Sequence, residues 1–433
     1  MSKLIIHGGK KLHGAVTTNS SKNAAMGILA SIPLFSGTVV LDDLPLIEEV
    51  KRMLEVLSSI GVRVTWLAKR KVALQVGAIS LRGLNREAFV KMRSGIMLIS
   101  SLANHFKTFQ LPRSGGCKLG KRTVNPHIYA LDDLGVHVAV VKGAYRVTVG
   151  KRRGRQVVMY ESGDTAIENT IIAAVLTPGK TTIQFSTGNY MVRELCYFLR
   201  EAGAKIKGIE TTTLEIEGVK RLRPVKRYSI MPDPIESMAL IAIAVTTRSP
   251  LTVKACPIDF LLLELEKLRR MGQRFTVKNR RRSKSGYFTL VDITFTPSYL
   301  VAPSDKLDAR PFPGINIDNL PFFVPIVTQA RGKTLIHDWV YENRAVYYLE
   351  LQKLGAKMTL YDPHRIEIEG PTVLQANEII CPPALRPAAN LMVAMLAARG
   401  ISILRNTYSI DRGYENLYQR LNALGAQIEV IDE

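Results

Sequence analysis

Leu57-Ser-Ser-Ile-Gly61-Val-Arg-Val64 is the stretch of this chain that decides its fold, because its pattern recurs. A glycine after an apolar helical stretch permits the left-handed conformation that ends a helix. The alternating apolar residues that follow are typical of a strand. The same Leu-x-x-x-Gly junction, or a close variant, occurs six times, and its glycines are Gly61, Gly135, Gly203, Gly272, Gly355 and Gly425.

The spacing of these glycines, 68 to 83 residues, is too long for a solenoid repeat and suits a small βαβ-type unit. The units also carry a second helix-like apolar run, such as residues 23–31, 94–103 and 169–176. Helix–glycine–strand junctions are common in α/β proteins, but six in register over the whole chain are hard to reach by chance. The repeat therefore predicts an α/β fold with two similar domains of three units each.

The composition is that of a globular protein, with 46% hydrophobic and 22% charged residues in a chain of 433. No apolar run approaches the roughly 18 residues of a membrane span. The chain starts with a strand-like run at residues 4–7 and shows no signal-peptide pattern, which predicts a cytoplasmic protein. Four widely spaced cysteines without a CxxC pair argue against a disulfide framework and against a zinc site.

The formal net charge of +22 favours anionic partners, whether polyanions or small substrates. Part of this charge lies in two basic runs, residues 151–155 and 278–284. Both runs lie between strand-like segments, and we interpret them as solvated turns. They lack interleaved aromatic residues and a nucleic-acid-binding motif, so the sequence disfavours nucleic-acid binding as the main role.

One segment, residues 113–127, has the composition of a reactive loop. It reads Arg-Ser-Gly-Gly-Cys-Lys-Leu-Gly-Lys-Arg-Thr-Val-Asn-Pro-His and places Cys117 close to Lys118, Lys121 and Arg122. Its glycines predict a mobile surface loop. Nearby positive charge favours the thiolate, as expected for a reactive cysteine. The alternative is a basic surface loop that happens to contain a cysteine.

With the repeat and this loop, the chain resembles the enolpyruvyl transferases over essentially its full length. The resemblance depends on several separated motifs that occur in the family's order. They are Gly8-Gly9 with Leu12-His-Gly14, Ser21-Lys22-Asn23-Ala24-Ala25, Met92-Arg93, Gly115-Gly116-Cys117 to Arg122, Pro232-Asp233-Pro-Ile-Glu236, Glu342-Asn343-Arg344, Leu385-Arg386, and Ile410-Asp411-Arg412-Gly413-Tyr414-Glu415.

The resemblance implies a fold of two inside-out α/β barrel domains, each of three βαβαββ units, with the substrate cleft between them. One domain would span residues 22–226 and carry the Cys117 loop. The other would combine residues 1–21 with residues 227–433. The oligomeric state is not predicted.

The resemblance also implies a reaction. The enolpyruvyl group of phosphoenolpyruvate would move onto the 3′-hydroxyl of UDP-N-acetylglucosamine with release of phosphate, the first committed step of peptidoglycan precursor synthesis. Addition and then elimination through a tetrahedral intermediate need an acid, a base and cations around the phosphate and carboxylate. Neither a metal nor an organic cofactor is expected.

The resemblance assigns roles to particular residues. Cys117 would be the proton donor and Asp318 the base, and Arg93 would help to order the loop and bind phosphoenolpyruvate. Residues expected to embrace phosphoenolpyruvate are Lys22, Arg122, Arg344, Arg386 and Arg412, of which Lys22 and Arg412 are also counted as catalytic. Residues expected at the UDP-sugar are Asn23, Arg122, Thr123, Val124, Asn125, His127, Ser162, Gly163 and Asp318.

The assignment of Asp318 rests on its spacing, 26 residues before Arg344, although residues 311–321 carry a short insertion. Asp308 is the other nearby carboxylate. Three further departures concern substrate surfaces: Ala384 replaces an aspartate, residues 162–169 are one residue longer than usual, and residues 189–192 differ from the family pattern.

These departures leave the acceptor open. Rival hypotheses are the same chemistry on another sugar nucleotide or on shikimate 3-phosphate, and the cysteine loop argues against the latter. A catalytically weakened nucleotide-binding paralogue and a polyanion-binding protein are further alternatives.

Overall fold

The computed structural model describes residues 2–115 and 123–432. Their internal contacts divide the chain into two compact units. Residues 20–115 and 123–231 form one, here called the middle unit, and residues 2–19 and 232–432 form the other, here called the terminal unit. The terminal unit thus joins both ends of the described chain.

The strands, numbered in chain order, are β1 Ser2–His7, β2 Gly14–Thr17, β3 Gly37–Asp42, β4 Val62–Ala68, β5 Lys71–Val76, β6 Thr108–Pro112, β7 Val136–Val141, β8 Ala144–Val149, β9 Gln156–Val158, β10 Lys180–Gln184, β11 Lys205–Lys207, β12 Thr213–Glu217, β13 Tyr228–Ser229, β14 Leu251–Pro257, β15 Arg274–Arg282, β16 Thr289–Thr296, β17 Leu300–Val301, β18 Leu307–Asp308, β19 Ala330–His337, β20 Lys357–Asp362, β21 Arg365–Gly370, β22 Glu378–Ile380, β23 Ile401–Arg405 and β24 Ile428–Asp432.

The α-helices are α1 Lys22–Ser31, α2 Glu48–Ser59, α3 Arg86–Val90, α4 Leu98–Leu102, α5 Asn125–Asp133, α6 Asp164–Ala174, α7 Tyr190–Glu201, α8 Pro234–Thr246, α9 Leu262–Arg270, α10 Leu320–Val327, α11 Leu385–Ala397, α12 Tyr408–Asp411 and α13 Leu417–Asn422. Four 3₁₀ helices cover Ile32–Leu34, Ser94–Met97, Ile258–Phe260 and Ala345–Leu354.

Each unit contains three sheets among its described residues. In the middle unit their strand orders are β13-β3-β5-β4, β6-β8-β7 and β11-β12-β10-β9. In the terminal unit the orders are β15-β16-β14-β2, β17-β19-β21-β20 with β18 beside β19, and β22-β23-β1-β24. Strand β1 pairs antiparallel with both β23 and β24, so the first strand of the chain lies inside its last sheet.

All six repeat glycines have a positive φ, between 77° and 109°. Each lies just after a helix and shortly before a strand, and the strands that follow are β4, β7, β11, β15, β20 and β24. A residue with a Cβ atom is strained in this conformation, which explains why the pattern requires glycine. The predicted helix–glycine–strand repeat is confirmed.

The core of each unit is made of helices that are buried on nearly every side. In the middle unit these are α1, α6 and the pair formed by Ser94–Met97 and α4; in the terminal unit they are α8, α10 and α11. The three members of each set contact one another. Every residue of α8 is buried, because its sequence offers no polar face to water.

The interpretation of residues 278–284 as a turn is wrong for residues 278–282 and holds only for the last two residues. Strand β15 continues to Arg282 and pairs with β16 at the edge of its sheet. Nearly every residue of β15 is exposed, so its charges remain in water while the backbone pairs. The other basic run, residues 151–155, does lie outside the strands, between β8 and β9.

Among the described residues, no helix combines the length and the hydropathy that crossing a membrane requires.

Candidate active site

Asp318 lies two residues before α10, between two arginines of the terminal unit. Its backbone N–H donates to Asn316 Oδ1 at 2.8 Å, and its side chain is 22% exposed. Arg386 Nη2 lies 3.4 Å from Asp318 Oδ2, and Arg344 Nη1 lies 3.6 Å from Oδ1. Two neighbouring guanidinium groups favour the charged form of a carboxylate, and this one keeps part of its surface exposed.

Arg344 is fully buried, although arginine is a residue that rarely leaves water. Its Nε and Nη2 donate to the two carboxylate oxygens of Asp338 at 2.6 and 2.7 Å, and Nη2 also donates to the Ile317 carbonyl at 2.6 Å. The Tyr341 ring covers the guanidinium at 4.3 Å. Burial alone would lower the pKa of Arg344, but its interactions with Tyr348 and Asp338 together outweigh burial and raise that pKa above its ordinary value.

Asp338 comes directly after β19 and is fully buried too. Besides Arg344, it accepts a hydrogen bond from the Tyr348 hydroxyl at 2.5 Å. Burial, together with the nearby Asp338 carboxylate, raises the pKa of Tyr348, so its phenol stays neutral and donates. These contacts satisfy both Asp338 oxygens with three hydrogen bonds.

Arg386 is the second residue of α11 and is almost completely buried. Its Nη1 donates to the Tyr414 hydroxyl at 3.0 Å. Burial raises the pKa of Tyr414 to about 12, against the opposing charge of Arg386, so this phenol is neutral near pH 7. Arg412 follows α12 and is half-buried, and no contact among the described residues joins it to Asp318.

A second group of predicted residues lies in the middle unit, at the start of α1. Ser21 caps this helix by accepting from the Ala24 N–H, so Lys22 is its first residue. Lys22 Nζ lies 2.6 Å from Glu49 Oε2, with exposures of 21% and 26%. The Ser94 hydroxyl donates to the other Glu49 oxygen at 3.3 Å. The lysine is thus paired but remains accessible.

Asn23 contacts one of the segments that depart from the family pattern. Its Nδ2 donates to the Tyr190 hydroxyl at 2.9 Å, and Tyr190 is fully buried at the start of α7. The contact shows that the unusual residues 189–192 bear directly on a side chain predicted to touch the sugar nucleotide.

His127 lies in the core of the middle unit rather than on its surface. It is 7% exposed, and its Nδ1 lies 3.2 Å from Asn169 Nδ2, the geometry of a hydrogen bond that the ring accepts. Burial, and secondarily the charge of Arg93, lower the pKa of His127 to about 3. Its ring is therefore neutral at pH 7.

Most of the other predicted acceptor residues are accessible. Thr123 and Asn125 are exposed at the start of α5, and Val124 between them is half-buried. Ser162 and Gly163 are half-buried before α6, and the Ser162 hydroxyl donates to the Phe185 carbonyl at 3.1 Å.

Three exposed aromatic residues, here called the aromatic cluster, lie at this edge of the middle unit. Tyr129, Tyr160 and Phe185 are 49%, 73% and 59% exposed. The rings of Tyr129 and Tyr160 meet edge to face at 5.3 Å. Tyr160 and Phe185 come just after the carboxyl ends of the parallel strands β9 and β10, an edge where α/β folds commonly bind ligands. Phe185 also has φ +60°, a strained backbone conformation of the kind that clusters at functional sites.

Two of the departures from the family pattern form one local structure. Asp164, in the lengthened segment, accepts from the Thr187 hydroxyl at 2.7 Å and from Asn189 Nδ2 at 2.8 Å. Asn189 in turn begins the altered residues 189–192. Changes that look independent in the sequence are therefore joined by hydrogen bonds beside the aromatic cluster.

The structure thus brings Asp318, Arg344 and Arg386 together in one unit, and places Lys22, Asn23 and Arg93 in the other. Cys117 and Arg122 lie outside the described residues.

Sequence reasoning missed Asp338, Tyr348 and Glu49. Asp338 is an acidic residue six positions before Arg344, but the burial that makes it important has no signature in the sequence. Glu49 and Tyr348 carried no signal of their own, because each acts through a partner that is distant or buried.

The fold defines the class of protein first. The structure of the enolpyruvyl transferase NikO from Streptomyces tendae is similar with a TM-score of 0.85, at 24% identity and 99% coverage of both chains. EPSP synthase from Acinetobacter baumannii is similar with a TM-score of 0.77, at 19% identity and full coverage of both chains. The chain therefore has the two-domain α/β fold of enolpyruvyl transferases.

The sequence then gives the family. Residues 6–421 match the EPSP synthase (3-phosphoshikimate 1-carboxyvinyltransferase) family, and the chain belongs to this family of transferases. Proteins named UDP-N-acetylglucosamine 1-carboxyvinyltransferase from Treponema denticola and Dichelobacter nodosus are each 32% identical to it. These similarities cover 99% of both chains for the first and all of both chains for the second.

Proposed function

We propose that this protein transfers the enolpyruvyl group of phosphoenolpyruvate to the 3′-hydroxyl of UDP-N-acetylglucosamine and releases phosphate. The observation that carries the proposal is the 32% identity, over 99% or more of both chains, to two proteins named for this acceptor. The placement of Asp318 between Arg344 and Arg386 supports it, because the reaction needs an ionised carboxylate as a base.

In this proposal Asp318 takes the proton of the sugar hydroxyl as its oxygen attacks C2 of phosphoenolpyruvate. Cys117 gives a proton to the methylene carbon, which completes the addition and forms the tetrahedral intermediate. Loss of a proton from the new methyl group then expels phosphate and restores the double bond. Lys22, Arg93, Arg122, Arg386 and Arg412 would neutralise the phosphate and carboxylate, for which guanidinium groups are well shaped.

The aromatic cluster favours a nucleotide acceptor over shikimate 3-phosphate. A nucleobase offers a flat face that Tyr160 or Phe185 could stack against, whereas the shikimate ring is not aromatic. Base–aromatic stacking contributes about 1–3 kcal/mol per base in other proteins. The nearby Ser162, Gly163 and Asn125 could supply polar contacts to the same ligand.

Release of phosphate from phosphoenolpyruvate, with and without UDP-N-acetylglucosamine, tests the proposal. We expect nucleotide-dependent release that falls sharply in Cys117→Ala. Cys381→Ala is the matched control, because burial raises the pKa of that thiol to about 12 and leaves it inert. Nucleotide-dependent release that survives Cys117→Ala would keep the enzyme but remove the proposed role of the cysteine.

Phosphate release that occurs only with another sugar nucleotide, or only with shikimate 3-phosphate, would mean that this compound is the acceptor instead. Nucleotide binding without any release would instead support a weakened paralogue. The observation behind that second candidate is Ala384, which begins α11 without the side-chain cap that an aspartate would provide.

A further inference from the structure

Arg344 has a fixed set of donors, and the structure uses most of them inside the protein. A guanidinium carries five N–H groups. The one on Nε and both on Nη2 donate to Asp338 and to the Ile317 carbonyl. Nη1 is buried and makes no hydrogen bond to any of the described residues, and it lies 3.6 Å from Asp318 Oδ1. The unused side of the guanidinium therefore faces Asp318.

The two carboxylates hold Arg344 with unequal strength. Asp338 is fully buried and accepts two short hydrogen bonds from Arg344. Asp318 is partly exposed, and its shortest distance to an Arg344 nitrogen is about 1 Å longer than that of Asp338. A buried pair of this kind cannot open for a ligand without leaving an uncompensated charge inside the protein. Arg344 is thus poorly placed to bind phosphoenolpyruvate and well placed to act on Asp318.

We propose that Asp338 is a positioning residue of the transfer reaction: it binds Arg344 and offsets its charge, so that Arg344 orients Asp318 without preventing it from accepting a proton. The inference rests on the proposed role of Asp318 as the base. It gives Arg344 a task other than the contact to phosphoenolpyruvate that the resemblance implies.

The groups that face Asp318 explain how Asp338 would matter. Arg344 lies on one side of it, Arg386 with Tyr414 on the other, and Asp338 with Tyr348 lies behind Arg344. Without the Asp338 charge, the positive charge of Arg344 would be balanced by Asp318 alone, because no other carboxylate among the described residues contacts Arg344. Asp318 would then bind Arg344 tightly and become a weaker base.

The test is Asp338→Asn, measured as kcat and KM for both substrates across pH. We expect kcat to fall by about 10²-fold, a typical contribution of a positioned base, with the KM for phosphoenolpyruvate little changed. We also expect the acid limb of the kcat/KM profile to move to lower pH. Asp338→Glu should restore part of kcat, and Asp362→Asn, a surface carboxylate paired with Arg365, should leave the profile unchanged.

Three outcomes would overturn the proposal. One is a large rise in the KM for phosphoenolpyruvate with an unmoved pH profile, which would return Arg344 to substrate binding. Another is an unchanged kcat, and the third concerns the double variant. Adding Asp338→Asn to Asp318→Asn should cost little more than Asp318→Asn alone, because both act on one step; full additivity of the two effects would also contradict it.

Two further measurements keep the test decisive. If Asp338→Asn fails to fold, as judged by circular dichroism, the pH profile of Asp338→Glu is used instead, and an acid limb identical to wild type counts against the proposal. If wild type shows no transfer with any acceptor, the proposed function has failed, but a ¹³C-carboxyl NMR titration still tests the coupling. The Asp318 resonance, assigned with Asp318→Asn, must then titrate at lower pH in the Asp338 variant.

Discussion

Two charged pairs, one in each unit, are built in opposite ways. Arg344 and Asp338 are both fully buried and are satisfied by each other and by neighbouring protein groups. Lys22 Nζ lies 2.6 Å from Glu49 Oε2, but each of these side chains keeps more than a fifth of its surface in water.

The difference separates a charge that belongs to the protein from one that is available to a ligand. Breaking a buried pair leaves an unpaired charge in the interior and is strongly destabilising. An accessible pair contributes little to stability, because water and salt screen it. We therefore expect changes at Lys22 to affect activity and changes at Asp338 to affect both activity and stability.

The largest effect is expected from Asp318→Asn, because the amide cannot accept the proton of the sugar hydroxyl. We expect kcat for phosphate release to fall by about 10³-fold, within the range for loss of a general base. Asp308→Asn is the matched control, because Asp308 is the other carboxylate near the insertion at residues 311–321. Asp308 pairs with the exposed Arg310. Equal losses in the two variants would show that Asp318 has been wrongly chosen.

Lys22→Ala should lower kcat/KM for phosphoenolpyruvate by about 10- to 100-fold, the usual range for a lost hydrogen bond to a charged group. The melting temperature should stay close to that of wild type, because the pair with Glu49 is accessible. Enzyme kinetics and thermal denaturation on the same preparation check both. A large loss of stability with normal kinetics would mean that this pair is structural, like the one at Arg344.

Tyr160→Ala should raise the KM for UDP-N-acetylglucosamine by about 10-fold and leave kcat near wild type, since stacking on a base contributes equally before and during the reaction. Tyr299→Ala removes an aromatic ring that is 85% exposed in the terminal unit and serves as the control. Isothermal titration with UDP and with UMP would locate the effect. Unchanged affinity for both would remove the aromatic cluster from the acceptor site.

The smallest effect concerns stability and depends on pH. Glu168 is fully buried against Gly27, and its two oxygens have no hydrogen-bond partner among the described residues. Burial, and then the charge of Asp164, raise the pKa of Glu168 well above its ordinary 4.5. The folded state therefore keeps a proton that the unfolded chain releases, and the free energy of unfolding falls as pH rises above that value.

Glu168→Gln removes this dependence, so its melting temperature should exceed that of wild type by roughly 2–4 °C near pH 8. The difference should disappear as the pH falls well below 4.5, because Glu168 is then protonated in both states. Glu161→Gln, a change at an exposed carboxylate, should show no such trend. A constant difference at all pH values would mean that Glu168 is not the titrating group.

Much of the fold could be predicted from local patterns. The six glycines were recognisable because a left-handed turn at a helix end admits few other residues. The apolar runs at 23–31, 94–103 and 169–176 correspond to buried helices, because none of them has a polar face to turn towards water. The basic run at 278–284 misled, because charged residues in an exposed edge strand have the composition of a turn.

The predicted site divides in the same manner. Asp318 and Arg386 could be chosen from motif spacing, and the structure brings them within 3.4 Å of each other. Asp338 could not be chosen, because its importance comes from burial against Arg344, which composition does not reveal. His127 was expected at the surface, but its place on α5 turns its ring into the core beside Asn169.

The sequence by itself determined the number of units, the turn at each helix end and the set of residues able to carry the chemistry. These properties follow from backbone conformation and side-chain type, which each residue brings with it. Only the tertiary structure decided which charges are already neutralised by the protein and which remain accessible. That distinction depends on burial and on hydrogen bonds between distant segments, such as the one between Asp318 and Arg386. The energy of a charge depends far more on its surroundings in space than on its neighbours in the chain.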